Sequence, residues 1–88
     1  MHEHGLVLDL VRKAEALSDQ IGEPVSSLVI TVGALSGIDP AHVARHYELI
    51  LKPDSPLAGA ELEIELSDDP DDPGAATIRL NAIGFGGG

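Results

Sequence analysis

A strict alternation of acidic and aliphatic residues in residues 60–66 constrains this fold more than any other feature of the chain. Successive side chains of a β-strand point to opposite faces, so this pattern predicts a strand with one solvent-exposed face and one buried face. The aliphatic positions are Leu62, Ile64 and Leu66, and the acidic positions are Glu61, Glu63 and Glu65. The rest of the chain must therefore supply a layer that covers the aliphatic side.

Two segments have the hydrophobic spacing of amphipathic helices. Residues 5–21 repeat apolar side chains with a helical period, and the following Gly22 predicts the end of that helix. Residues 40–51 form the second segment. Asp39 is the predicted N-cap and Pro40 the first helical residue, a combination typical of helix starts.

Two further segments predict strands. Residues 25–33 are rich in β-branched residues and apolar on both sides, which is typical of a central strand covered by helices. Residues 77–83 predict a third strand, with Ile78 and Leu80 facing the core.

The order helix, strand, helix, strand, strand predicts an α+β fold, with two helices packed on one face of a small three-stranded mixed sheet. The strand–helix–strand segment predicts a right-handed parallel crossover, and the last two strands predict a long-looped hairpin. We expect one domain over residues 1–85, with an acidic loop at 67–76. The glycines at 86–88 predict a disordered tail.

Composition excludes several classes of function. Five Lys and Arg against fifteen Asp and Glu give a formal charge of -10, and the only aromatic residues are Tyr47 and Phe85, which argues against nucleic-acid binding. There is no cysteine, hence no disulfide, no thiolate nucleophile and no cysteine zinc site. No apolar run suits a membrane span or a signal peptide, so we expect a cytoplasmic protein. A free strand edge leaves a homodimer as an open alternative.

The sequence opens with Met1, His2, Glu3 and His4, which offer several nitrogen donors close together. A free α-amine, the His2 imidazole and neighbouring backbone amides, including that of Glu3, could wrap around one ion. Nitrogen-rich tetragonal sets of this kind suit Ni(II) or Cu(II) rather than Mg(II) or Ca(II). His4 is a candidate axial ligand. The alternative is an exposed terminal histidine without a role.

His42 and His46 lie four residues apart on the second predicted helix, a spacing that can hold a metal ion on one face. They flank the buried stripe of that helix, where half-exposed histidines without a function are common. An auxiliary nickel site or an interface contact remains the other interpretation. No arrangement of nucleophile, base and acid is recognisable, so we do not expect an enzyme.

The chain resembles the HypA family of nickel-incorporation proteins for [NiFe]-hydrogenase and urease. The likeness is carried by Met1-His2-Glu3, by the glycine-punctuated segment Gly33-Ala34-Leu35-Ser36-Gly37-Ile38-Asp39-Pro40, and by Gly59-Ala60-Glu61-Leu62-Glu63-Ile64. The resemblance implies a nickel site at the N-terminus, formed by the amine, His2 and backbone amides. It also implies a GTPase partner of the HypB type and delivery to a hydrogenase large subunit or to urease accessory proteins.

One departure from that family is large. The family inserts a zinc ribbon with two Cys-x-x-Cys pairs between its last two strands, whereas this chain has the acidic loop at 67–76 and no cysteine. We therefore expect Ni(II) as cargo and no zinc. The sequence predicts a nickel metallochaperone for hydrogenase or urease maturation, and the alternative is a protein-interaction module of metallocentre assembly without metal transfer.

Overall fold

The computed structural model describes residues 3–86 of the chain. Within that range the elements follow the predicted order: α1 (Glu3–Ile21), β1 (Val25–Val32), α2 (Pro40–Ile50), β2 (Glu61–Leu66) and β3 (Ile78–Phe85). The predicted α+β fold of two helices and a three-stranded mixed sheet is confirmed. Among the described residues, neither helix is long and apolar enough to cross a bilayer.

The helix α1 begins at Glu3 rather than at residue 5. It ends at Ile21 because Gly22 adopts a left-handed conformation with φ of 80°, which glycine takes at little cost. The N–H groups of Gly22 and Glu23 both donate to the carbonyl of Ser18, at 2.8 Å and 3.3 Å. These bonds satisfy a carbonyl that the end of the helix would otherwise leave unpaired.

The start of α2 is as predicted. Asp39 is extended, with φ of -84° and ψ of 125°, and its carboxylate accepts a hydrogen bond from the Ala41 N–H at 2.9 Å. Pro40 follows as the first helical residue, where its missing N–H costs nothing. This cap fixes where α2 begins and therefore which of its side chains face α1.

The sheet has the order β2-β1-β3, so the predicted hairpin between the last two strands is wrong. The predicted parallel pairing of β1 with β2 is present, but β3 pairs antiparallel with the other side of β1. This order places the most apolar strand in the centre. A β2–β3 hairpin would instead have left that strand at an edge, where its backbone groups on one side would lack partners.

The core lies between the sheet and the helices. α1 contacts β1 and β3, α2 contacts β2, and the helices contact each other. The largest fully buried side chains of this layer come from α1, β1, α2 and the loop before β2: Val7, Ile30, Val32, Val43 and Leu57. Burial of one such side chain contributes about 1.5–3 kcal/mol. Leu66, expected on the covered face, is 63% exposed because it ends β2 beyond the core.

The acidic connection between β2 and β3 closes one end of the sheet. Its backbone is tied to the residues that follow β1, through Gly33 N–H to the Thr77 carbonyl at 2.8 Å and Leu35 N–H to the Ala75 carbonyl at 2.7 Å. The Arg79 guanidinium pairs with the Asp72 carboxylate at 2.9 Å. The strand β3 therefore enters the sheet from a loop that is itself anchored to β1.

At the other end of β3, Gly86 donates from its N–H to the Pro24 carbonyl at 2.9 Å. Gly86 is the first residue of the predicted glycine tail. The rest of that tail, Gly87 and Gly88, lies outside the described residues.

Candidate functional site

The first turn of α1 lies against α2, and this contact joins residues that the sequence analysis treated as separate candidates. The nearer carboxylate oxygen of Glu3, Oε2, lies 3.5 Å from His42 Nδ1 and 3.9 Å from His46 Nε2. The His4 ring meets the His46 ring edge-on, with centroids 5.4 Å apart and planes at 77°. We refer to Glu3, His4, His42 and His46 as the histidine cluster.

The pattern of α2 explains why both imidazoles face α1. Val43 and Tyr47 form the buried row of α2. His42 and His46 precede them by one position each, so they form a parallel row at the border of the core. Residues four apart lie above one another on the same helix face. The burial of Val43 and Tyr47 therefore holds the adjacent imidazoles at the border between the core and the surface.

The two imidazoles differ in exposure and in hydrogen bonding. The side chain of His42 is 61% exposed, whereas that of His46 is 30% exposed. His46 Nδ1 is buried and has no hydrogen-bond partner within the described residues. His46 thus has its Nε2 edge toward Glu3 and its Nδ1 edge toward the protein.

The separations around Glu3 are longer than strong hydrogen bonds, which lie near 2.7–3.2 Å. Each becomes an ion pair only when the imidazole carries a proton. The Glu3 carboxylate therefore makes no strong hydrogen bond to either imidazole.

The structure leaves part of the predicted site untested. Met1 and His2 lie outside the described residues, so the predicted terminal chelate cannot be placed. Within residues 3–86, no three His, Asp or Glu side chains already stand together as a metal cage. The sequence analysis did not anticipate the approach of the Glu3 carboxylate to the α2 histidines. No local motif signals it, because it depends on how α1 packs against α2.

An open hollow lies at the far end of α1 and holds none of the predicted site residues. It has a volume of about 420 Å³ and is lined by Glu15, Ser18, Asp19, Gly22, Glu23, Pro24 and Pro56. It is shallow and strongly acidic, without a histidine. The chemistry of the N-terminal end is therefore separate from this hollow.

Comparison with known proteins defines the class of fold. The solution structure of the Ni metallochaperone HypA from Helicobacter pylori matches with a TM-score of 0.76 at 16% identity, covering 97% of each chain. A second solution structure of a HypA protein matches with a TM-score of 0.74 at 18% identity, covering 100% of this chain and 98% of the other. At these identities the likeness establishes a shared fold. No curated protein matches the chain.

The amino-acid sequence identifies the family to which the chain belongs. A family profile described as "Hydrogenase/urease nickel incorporation, metallochaperone, hypA" matches residues 1–69, which is most of the chain. The chain belongs to the HypA family. This membership supports a nickel metallochaperone role in hydrogenase or urease maturation. The match ends inside the acidic loop, where the resemblance places the zinc ribbon of other members.

Proposed function

We propose that the protein binds Ni(II) at its N-terminus and passes it to a partner in the maturation of a hydrogenase or a urease. The ligands would be the α-amine of Met1, the His2 imidazole and backbone amide nitrogens that include Glu3. The observation that carries the proposal is the family match, which begins at residue 1 and includes Met1-His2-Glu3.

The start of α1 supports the part assigned to the Glu3 amide. The helix begins at Glu3, and the first N–H groups of a helix have no partner within it. Removing a proton from such an amide breaks no helical hydrogen bond. The partial positive charge at a helix N-terminus also favours the anionic nitrogen that results.

The charge of the chain supports loading with a cation. A formal net charge of -10 attracts divalent ions over distances that direct contacts do not reach. Binding would also release protons, because the amine, the imidazole and the amides must each be unprotonated to coordinate. Nickel affinity should therefore rise with pH.

A terminal site suits transfer, since its ligands come from one short segment and can be removed from the ion one at a time. The proposed partners are a GTPase of the HypB type and a hydrogenase large subunit or urease accessory proteins. The proposal places this exchange in the cytoplasm. His4 is kept as a candidate axial ligand.

Calorimetric titration of Ni(II) into the protein with a free Met1 amine, verified by intact mass, tests the binding step. A variant with four residues added before Met1 is the matched control, because it moves the α-amine out of chelating reach of His2 and leaves every native side chain in place. We expect one ion to bind tightly to the native protein, and the tightest binding by the extended variant to be at least tenfold weaker. Equal affinities in the two proteins would contradict the terminal chelate.

The transfer step needs a separate assay. Replacing His2 by Ala should abolish nickel-dependent maturation of the recipient enzyme while leaving the thermal unfolding of the protein unchanged. Full maturation with His2→Ala would show that the protein acts through protein contacts without carrying metal.

A further inference from the structure

The histidine cluster offers a donor set that does not involve the α-amine. Glu3 Oε2 lies within 4 Å of one nitrogen from each α2 histidine, at 3.5 Å and 3.9 Å. Two imidazoles and one carboxylate are common ligands of divalent first-row transition metals. All three belong to helices, which limits how far their side chains can separate.

The separations agree with those between ligands that share a metal ion. Metal–nitrogen and metal–oxygen bonds of about 2.1 Å set neighbouring ligand atoms of a tetrahedral site roughly 3.4 Å apart. The Glu3–His42 separation of 3.5 Å is near that value, and the Glu3–His46 separation of 3.9 Å exceeds it by about half an ångström. Because no cage is preformed, the His46 side chain has to move toward the ion.

We infer that His42, His46 and the Glu3 carboxylate form a second site for a divalent transition metal, independent of the N-terminal amine. The i,i+4 pair on α2 supplies two nitrogen ligands, and α1 closes the site with one oxygen. The remaining positions are open to water or to a further donor. The site stands beside the first turn of α1, next to the proposed terminal chelate.

The surroundings of His46 determine how tightly the second site is expected to bind a metal ion. A histidine ligand usually donates its second N–H to an oxygen, and loss of that partner typically weakens metal binding by 10–100-fold. His46 Nδ1 has no partner among the described residues. The second site should therefore bind more weakly than a fully supported site of the same ligands, and more weakly than the terminal chelate.

The test uses the full chain with four residues added before Met1, so that the α-amine lies out of chelating reach of His2. Ni(II) is titrated calorimetrically into this protein, into its His42→Gln/His46→Gln variant and into its Glu3→Gln variant. An Arg45→Gln/Glu48→Gln variant is the control, because it alters two exposed residues of α2 without changing net charge. Thermal unfolding followed by circular dichroism verifies that each variant is folded.

We expect the extended chain and the control to bind one Ni(II) with affinities within twofold of each other. The histidine double variant should lose binding, and Glu3→Gln should weaken it by about tenfold or more, since the charged ligand is removed. With Co(II) as a second probe, the visible spectrum of the extended chain should change with the histidines present and stay unchanged without them.

Failure of this inference and of the proposed function give different results. Tight binding by the native chain with none by the extended chain would overturn the second site and support the terminal chelate. Equal binding by both, lost on replacing the two histidines, would overturn the terminal chelate and support the second site. Binding that survives in the histidine double variant would also overturn the second site.

Discussion

Two regions of the molecule, the acidic loop and the histidine cluster, differ in how completely their polar groups are used. At the acidic loop, Asp72 pairs with Arg79 at 2.9 Å, and the Ala75 carbonyl accepts a hydrogen bond from the Leu35 N–H at 2.7 Å. In the histidine cluster, Glu3 lies 3.5 Å and 3.9 Å from two imidazoles, and one imidazole nitrogen has no partner within the described residues. The first arrangement stabilises the fold, whereas the second leaves donor atoms available for a ligand.

The largest effect should come from a glycine packed against the acidic loop. A Cβ added to Gly33 would clash with the Ala75 carbonyl oxygen, and backbone cannot move aside as a side chain can. Gly33→Ala should therefore lower the free energy of unfolding by about 3 kcal/mol or more, measured by urea denaturation. An unchanged midpoint would show that the loop does not pack tightly on β1.

Gly5, in the first turns of α1 beside the histidine cluster, is the matched control. Outside the helix's own backbone, no described atom lies within 4 Å of a Cβ added there, and the residue is helical. Gly5→Ala should raise the free energy of unfolding by about 0.5–1 kcal/mol, because alanine loses less backbone entropy in a helix. The opposite signs of the two substitutions would sharpen the contrast between the two regions.

The next effect concerns the cap that orients the histidines. Asp39→Ala removes the acceptor for the Ala41 N–H and should cost about 1 kcal/mol, whereas Asp39→Ser should keep most of the stability. Thermal unfolding of both variants measures the difference. Equal losses for Ala and Ser would indicate that the carboxylate charge, and not the cap, matters at this position.

A smaller effect is expected in the pH dependence of the acidic loop. A hydrogen bond from the Gly74 N–H, aided by Arg79, lowers the pKa of Asp72 despite some opposing desolvation. A lowered folded-state pKa stabilises the protein above the unfolded value, and that contribution is lost as pH falls through the folded value. Carboxyl NMR titration should show Asp72 ionising below its ordinary range, and Arg79→Gln should raise its pKa.

The smallest effect lies on the exposed face of β2. A hydrogen bond with Glu63, some desolvation and the charge of Glu63 raise the pKa of Glu65. The sign is opposite to that at Asp72, so any stabilisation is present below the unfolded pKa and is lost as pH rises through the folded one. Glu63→Gln should lower the pKa of Glu65, measured by the same titration. An unchanged value would mean that the two carboxyl groups do not interact.

The sequence predicted the elements well because their signals are local. The spacing of apolar side chains, the cap at Asp39 and the helix end at Gly22 are each determined within a few residues. The cap and the helix end appear where they were expected. The position of β3 was mispredicted, because a choice between two sheet edges depends on the whole sheet. The observed strand order buries the central strand and does not pair β2 with β3, its neighbour in sequence.

The candidate site likewise has a part that local spacing predicted and a part that depends on tertiary packing. Spacing identified His42 and His46 as a pair on one helix face, whereas Glu3 was predicted to contribute its backbone amide. Its approach to the pair follows from the packing of α1 on α2, which no short motif encodes. The terminal residues Met1 and His2 remain a prediction.

The position of β3 beside β1 also makes β2 one of the two edge strands of the sheet. Within the described residues β2 has a neighbour on one side only, and Glu61, Glu63 and Glu65 alternate along it. Two copies joined through this border would bring rows of carboxylates together, a repulsion that opposes strand-to-strand aggregation. The same alternation that defines the strand thus keeps copies of the protein apart along this border.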